Sequence, residues 1–307
     1  MAEMDKNSLI EKIARLKQER HAVILAHNYE LGEVQDIADF TGDSLELSSR
    51  AAENQAEVLV FCGVRFMAET AKILSPSKTV LLPVLSAGCP MADMADAASL
   101  RELKAHHPGA EVITYVNSTA EVKAESDICV TSANAEKIVS RIPVGKEIIF
   151  VPDRNLGQNI MNRTGRKMVL WPGYCPTHRR IENAELERRK REFPNAVVLA
   201  HPECNPEIAS LVDEFLSTGG ICTYVRKSPA KEFIIVTEIG ILHRLQKENP
   251  GKVFIPGSAE AICPFMKLIR LEDVCRSLEN LEYKIELPRE LMDRARVPIQ
   301  RMLEMSK

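Results

Sequence analysis

Three of the eight cysteines in this 307-residue chain are followed directly by proline: Cys89-Pro90, Cys175-Pro176 and Cys263-Pro264. Eight cysteines and seventeen prolines placed at random give about 0.4 such pairs. The three cysteines are separated by 86 and 88 residues, which suggests one thiol at the same point of three repeated units. Three thiolates that converge can hold a metal centre and leave one coordination position open. Three Cys ligands suit a [4Fe-4S] cluster whose fourth iron has no protein ligand and can act as a Lewis acid. Zinc is the competing centre, held by three Cys or by two Cys with the imidazole of Cys175-Pro-Thr-His178. Three buried, inert thiols are the third possibility. No Cys-x-x-Cys pair occurs, which disfavours zinc ribbons, thioredoxin-like redox pairs and ferredoxin-type cluster runs.

Other chemistry-bearing residues keep step with the thiols. Apolar runs at 23–26, 112–114 and 197–200 lead into His27-Asn28-Tyr29, Tyr115-Val116-Asn117 and His201-Pro202-Glu203. The steps from His27 to Tyr115 to His201 are 88 and 86 residues. Seventeen residues beyond each comes a hydroxyl, at Ser44, Ser132 and Thr218. Each hydroxyl sits at a turn into a helix or loop, where free N–H groups and the helix dipole favour a carboxylate or phosphate. Plain helix capping, which Ser and Thr do generally, is the alternative. His27, Tyr29, Tyr115, His178, His201 and Glu203 are the acid–base candidates. His201 and Glu203, two residues apart at a strand end, share one side and can act as a base with a polarising partner. A strand-end histidine taken alone is more often structural. His21, His106, His107 and His243 have no matched positions and read as surface or packing residues. Cys62, Cys129 and Cys275 lie in apolar contexts and read as core, while Cys204 and Cys222 fall outside the period.

The elements that must position these residues are α/β. Second apolar runs at 58–61, 148–151 and 233–236, and third runs at 80–82, 168–170 and 252–255, give three strands per unit, alternating with helices. In the first unit a helix is expected at 34–40, a turn at 41–43, and further helices from Ser44 and at 66–74. Linking helices are expected at 97–106 and 181–193, and the tail should be helical around a short strand at 283–285. The expected architecture is three homologous α/β/α units, at 1–88, 89–174 and 175–270, with the tail 271–307 completing the first. A period of about 87 residues is too long for a solenoid repeat. Ligands in open parallel sheets gather at the carboxyl ends of strands, so the triplets and the cysteines converge if the units face one another.

Composition narrows the function classes. A net charge of −3, with 27% charged and 5% aromatic residues, disfavours nucleic-acid binding. Residues 1–20 read as an amphipathic helix with Leu9, Ile10, Ile13 and Leu16 on one face, not as a secretory signal. No apolar run approaches the ~20 residues that cross a bilayer, so a cytoplasmic, membrane-free protein with reduced cysteines is expected.

At this point the residues resemble a known family, the quinolinate synthases, iron–sulfur enzymes of de novo NAD synthesis. The resemblance runs from about Val23 to the end of the chain. It rests on Ile24-Leu-Ala-His-Asn-Tyr29, Gln35-Asp-Ile-Ala-Asp-Phe-Thr-Gly-Asp-Ser44, Phe66-Met-Ala-Glu69, Cys89-Pro-Met-Ala92 and Tyr115-Val-Asn-Ser-Thr119. It continues through Thr131-Ser-Ala-Asn134, Pro152-Asp-Arg-Asn-Leu-Gly157, His201-Pro-Glu-Cys204, Ser217-Thr-Gly219 and Thr237-Glu-Ile-Gly240. The resemblance implies pseudo-threefold symmetry around a central cavity and one [4Fe-4S] cluster per chain on Cys89, Cys175 and Cys263. It implies condensation of iminoaspartate with dihydroxyacetone phosphate to quinolinate, and a functional link to an iminoaspartate-producing aspartate oxidase or dehydrogenase. It implies that Glu203 moves protons with His201 and Tyr29. Substrate carboxylates and phosphate would be held by His27, Ser44, Tyr115, Asn117, Ser132 and Thr218, with Val116, His178, Pro202 and Ser217 also in the binding set. Thr177 departs from the aliphatic residue of many members. The chain also lacks the extra cysteines that some carry before the third ligand, so no redox switch is expected there. A zinc-dependent hydrolase or lyase, and a cluster-bearing sensor, are the alternative functions.

Overall fold

In the computed structural model, which describes residues 5–306, the described strands form three four-stranded sheets. The first contains β1 (Ala22–His27), β2 (Phe40–Gly42), β3 (Val58–Cys62) and β4 (Thr79–Leu81). The second contains β5 (Glu111–Tyr115), β6 (Ile128–Val130), β7 (Ile148–Val151) and β8 (Val169–Leu170). The third contains β9 (Val197–Ala200), β10 (Glu214–Phe215), β11 (Glu232–Val236) and β12 (Val253–Pro256). All three share one order, β2-β1-β3-β4, β6-β5-β7-β8 and β10-β9-β11-β12, and every pairing is parallel. Helices alternate with the strands, so the chain is α/β as expected. The middle strands are almost wholly buried, consistent with helices covering both faces, which is why they read as unbroken Val/Ile/Leu runs.

The sequence predicts three strands per unit and the structure has four. The expected helix at 34–40 ends at Ile37, and the expected turn at 41–43 is largely strand β2. The missed strands, β2, β6 and β10, are two or three residues long, too short for a periodic signal. One device fixes all three. The carboxylates of Asp39, Asp127 and Asp213 accept the N–H of Ile24, Val112 and Val198 at 2.8, 2.8 and 2.7 Å. The N–H of each Asp returns a bond to the carbonyl of the same strand residue. This two-way clamp lies just before each short edge strand and sets its register.

Linking helices form at Ala97–His106 and Asn183–Glu192. The N-terminal helix is Lys6–Glu19, capped by Asp5 and burying Leu9, Ile13 and Leu16; residues 1–4 of that expectation lie outside the described residues. The helix Leu271–Asn280 packs on it and on β3. The helix Arg289–Ser306 packs chiefly on the second unit, against β6 and the helix Ala120–Ala124, and Arg296 reaches across to the Ile73 carbonyl at 2.8 Å. The tail is thus shared between two units. The expected strand at 283–285 is reduced to one antiparallel bridge, Leu81 to Lys284. No described helix is long and apolar enough to cross a membrane.

Ile299 is fully buried on the helix Arg289–Ser306, while Val297 beside it is 63% exposed. Ile299→Ala should cost about 2–5 kcal/mol by leaving a cavity, and Val297→Ala at most about 0.5. Urea unfolding of the two variants checks this.

Candidate active site

Parallel order puts the carboxyl ends of all four strands of a sheet at one edge. In each sheet the chain reverses direction between the first and third strands, and ligands bind at such switch points. The residues that follow them meet in one cavity of about 210 Å³. His27, Tyr29 and Ser44 line it from the first unit, Tyr115, Asn117 and Ser132 from the second, and His201, Glu203 and Thr218 from the third. Cys89, Cys175, Cys263 and His178 complete the wall.

The three Cys-Pro thiols are the partly exposed ones; Cys62, Cys129, Cys204, Cys222 and Cys275 are buried. Proline explains the local geometry. Cys175 and Cys263 occupy the cap positions of Pro176–Arg179 and Pro264–Lys267, with proline at the first helical place, where no N–H is needed. The next amides then face the sulfur in place of a capping oxygen. The N–H groups of Ala92 and Met91 do so at Cys89, that of His178 at Cys175, and those of Met266 and Phe265 at Cys263. Burial still dominates and pushes all three thiols up, Cys89 to about 12. Such thiols stay protonated until a cation displaces the proton, which suits a metal centre fixed by N–H···S contacts. The Thr177 hydroxyl also faces the Cys263 sulfur.

A hydrogen-bonded chain crosses the cavity through residues of all three units. Tyr29 OH lies 2.5 Å from Thr237 Oγ1, which lies 2.7 Å from His178 Nε2. His178 Nδ1 lies 2.8 Å from Glu203 Oε2 and 3.2 Å from Cys175 Sγ. Tyr115 OH donates to Glu203 Oε1 at 2.5 Å. Burial opposes ionisation of Glu203, but the His178 imidazole and the bonds from His178 and Tyr115 outweigh it and hold the carboxyl below its usual range.

His27 and His201 are neutral for the opposite reason. Burial pulls both down to about 3. Each Nδ1 accepts the backbone N–H two residues on, from Tyr29 at 3.2 Å and Glu203 at 3.4 Å. That network assigns the remaining proton to Nε2, so His201 donates to Ser132 Oγ at 3.1 Å. Both imidazoles therefore serve as neutral donors at the cavity wall.

The hydroxyl positions divide into two roles. Asp43, not Ser44, caps the helix Ser44–Glu53, and Ser217, not Thr218, caps Thr218–Lys227. Ser217 Oγ donates to Asp43 Oδ2 at 3.0 Å, tying the two caps together, and Asn28 holds Thr218 Oγ1 at 2.9 Å. Ser44 and Thr218 are left at the first turns, facing the cavity. Ser217, Val116 and Pro202 do not line it. Val116 is packed in the core, and the Pro202 carbonyl accepts from Asn159 at 2.8 Å.

A family model described as Quinolinate synthetase A protein matches residues 11–304. The chain belongs to the quinolinate synthase family. A quinolinate synthase of Dehalococcoides mccartyi strain CBDB1 is 53% identical over 300 residues, 98% of this chain and 99% of that one. One from Geotalea uraniireducens is 54% identical over 300 residues, 98% of each. One from Thermodesulfovibrio yellowstonii is 49% identical over 298 residues, 97% of this chain and 98% of that one.

Thr237 and Asn28 were not singled out as site residues from the sequence. Both lie in quinolinate synthase motifs, and Thr237 directly follows β11, but neither has a titratable group to draw attention. Asp43 and Glu238 also line the cavity and were not singled out from the sequence.

Because folded His27 and His201 titrate near 3 against 6.5 unfolded, the unfolded chain takes up protons first as pH falls. Their stabilising contribution is complete above pH 6.5 and is lost toward 3. The metal-free protein should lose up to about 2.7 kcal/mol of stability per pH unit below that point from the pair. His201→Gln should halve that slope in denaturant titrations between pH 6 and 5.

Proposed function

We propose that this chain makes quinolinate from iminoaspartate and dihydroxyacetone phosphate, with release of phosphate and water, on a [4Fe-4S] cluster held by Cys89, Cys175 and Cys263. The observation that carries the proposal is that the three periodic thiols, and no other cysteines, line a cavity into which all three sheets also direct their first-strand ends. Family membership supports it independently. When bound, the cluster supplies an iron without a protein ligand, able to polarise a substrate oxygen or nitrogen.

The chain's own residues do the rest. Neutral His27 and His201 donate through Nε2, and Ser44, Asn117, Ser132 and Thr218 add donors for the carboxylates and phosphate. The first turns of Ser44–Glu53 and Thr218–Lys227 add their free N–H groups. Glu203, ionised, takes the proton from substrate carbon or nitrogen. His178 and Tyr115 hold its two oxygens, so each turnover returns the carboxylate to one orientation. Tyr29 delivers or removes a proton at the far end of the chain through Thr237 and His178. Val116, Pro202 and Ser217 shape the strand ends from outside the cavity. The units at 1–88, 89–174 and 175–270 close on the substrates around a pseudo-threefold centre, in the cytoplasm, fed with iminoaspartate by an aspartate oxidase or dehydrogenase.

One observation favours a second reading. Donor atoms of Cys175, His178 and Glu203 lie within 4.8 Å of one another, a spacing that suits a single divalent ion such as zinc. Anaerobic purification separates the two. About four irons and four sulfides per chain with broad visible absorption are expected for the cluster; stoichiometric zinc without colour overturns it. Cys89→Ser should lose the cluster, whereas a zinc site on Cys175, His178 and Glu203 would survive. The loaded protein should form quinolinate from the two substrates. Glu203→Gln should keep its iron and lose at least ~100-fold in turnover; wild-type turnover would remove Glu203 from the chemistry.

A further inference from the structure

Tyr29 and Glu203 hold equivalent places, each two residues beyond the strand-end histidine of its unit. Their main chain is fastened in the same way. Around Glu203, side-chain amides hold three consecutive carbonyls. Asn159 Nδ2 donates to the Pro202 and Cys204 carbonyls at 2.8 and 3.1 Å, and Asn155 Nδ2 to the Glu203 carbonyl at 3.3 Å. Both donors are buried and stand one turn apart on the helix Arg154–Thr164 of the second unit. Around Tyr29 the same three positions are held again. Gln35 Nε2 donates to the Asn28 and Glu30 carbonyls at 3.1 and 2.9 Å, and Lys267 Nζ to the Tyr29 carbonyl.

Both clamps cross a seam between units. The donors to the Glu203 segment come from the second unit. Lys267 belongs to the third unit and pairs with Glu238 Oε1 at 2.9 Å, and Gln35 Nε2 also reaches the Gly240 carbonyl of the third unit at 3.0 Å. Each amide faces backbone carbonyls, which fixes its nitrogen, not its oxygen, toward the clamp. The two chains meet closely here: a Cβ on Gly240 would lie 2.6 Å from the Tyr29 carbonyl oxygen and 2.7 Å from Lys267 Nζ. None of the four donors lines the cavity. The equivalent segment of the second unit carries Asn117, which has no proton to exchange at neutral pH, and its carbonyls receive no donor from another unit among the described residues. Its Val116 and Ser118 carbonyls accept from the Ser118 N–H at 2.8 Å and from Lys123 Nζ at 2.5 Å, both within the unit.

We propose that Asn155, Asn159, Gln35 and Lys267 are positioning residues that fix the main chain at Glu203 and Tyr29 against the neighbouring units. The Glu203 carboxylate is thereby set on Tyr115 and His178, and the Tyr29 phenol on Thr237. The proposal rests on the proton-transfer roles given to Glu203 and Tyr29 above. A misplacement of about 1 Å at a reacting group can cost about 100-fold in rate, so the clamps govern turnover without touching substrate.

The test uses the full chain, purified and reconstituted without oxygen. Kinetics are measured on the ordinary chain, and fluorine NMR on one whose five tyrosines are 3-fluorotyrosine. Tyr29→Phe and Tyr115→Phe assign the two signals that report on the clamps. Lys267→Met and Asn159→Leu each remove a donor from one clamp. At equal iron content, kcat should fall about tenfold or more, while KM stays within about twofold because no substrate contact is lost. The Tyr29 signal should move in Lys267→Met and the Tyr115 signal in Asn159→Leu, with those of Tyr174, Tyr224 and Tyr283 in place. Lys267→Arg, which keeps donors for both the carbonyl and Glu238, should restore most of the kcat. Added to Tyr29→Phe, Lys267→Met should cost little more, as expected of two residues acting through one group. Additive losses, no rescue by Arg, or signals that all move together would mark a merely structural role and overturn the positioning. Wild-type kcat and unmoved signals in both variants also overturn it, with the reaction intact. If circular dichroism shows that Asn159→Leu does not fold, Lys267→Met decides, at a side chain 20% exposed. A wild-type chain that forms no quinolinate overturns the reaction, and these roles with it.

Discussion

Strand polarity is the constraint on which this structure depends. A sheet whose strands all run parallel gathers every carboxyl end at one edge, with the unpaired backbone groups and polar side chains that follow. Three such edges meet here, so groups far apart in the chain become neighbours. Tyr29, Thr237, His178, Glu203 and Tyr115 form one hydrogen-bonded line although they span more than 200 residues. No single unit contains the site, and a rotation of the first or second sheet against the third would break the line, at Tyr29 or at Tyr115.

Burial then decides the charge of each group, and it does not act alike on all of them. His27 and His201 have no partner that stabilises an imidazolium strongly enough, so burial leaves them neutral and fixes them as donors. Glu203 suffers the same burial but has an imidazole on one oxygen and a phenol on the other, and stays ionised. Neutral donors beside the retained Glu203 carboxylate are an arrangement suited to anionic substrates and proton removal.

Repetition and departure from it have separate meanings. The aspartate clamps at Asp39, Asp127 and Asp213 recur because each edge strand faces the same problem: too few residues to hold its own register. Positions that break the repeat are those near the chemistry. A strand-end histidine occurs in the first and third units and a tyrosine in the second; a carboxylate follows the third strand in two units and valine in the other. The sheets can be alike while the site is not.

Much of the plan was legible in the chain. The Cys-Pro period marked the three thiols that line the cavity, the polar triplets marked the first-strand ends, and unbroken Val/Ile runs marked the central strands, because local patterns and fixed separations survive in one dimension. The short edge strands β2, β6 and β10 were not legible, since two or three residues carry no period and their pairing depends on a carboxylate fifteen residues away from its partner. Nor could the sequence tell Ser44 from its capping neighbour Asp43, or show that Ser217 turns away from the cavity to hold that cap. Thr237 entered the site only through its bonds to Tyr29 and His178. The sequence by itself determined which residues repeat, and hence the sheets and the thiols. Tertiary packing alone decided which of them touch and which carry charge, because hydrogen-bond partnership and desolvation are properties of the assembled interior.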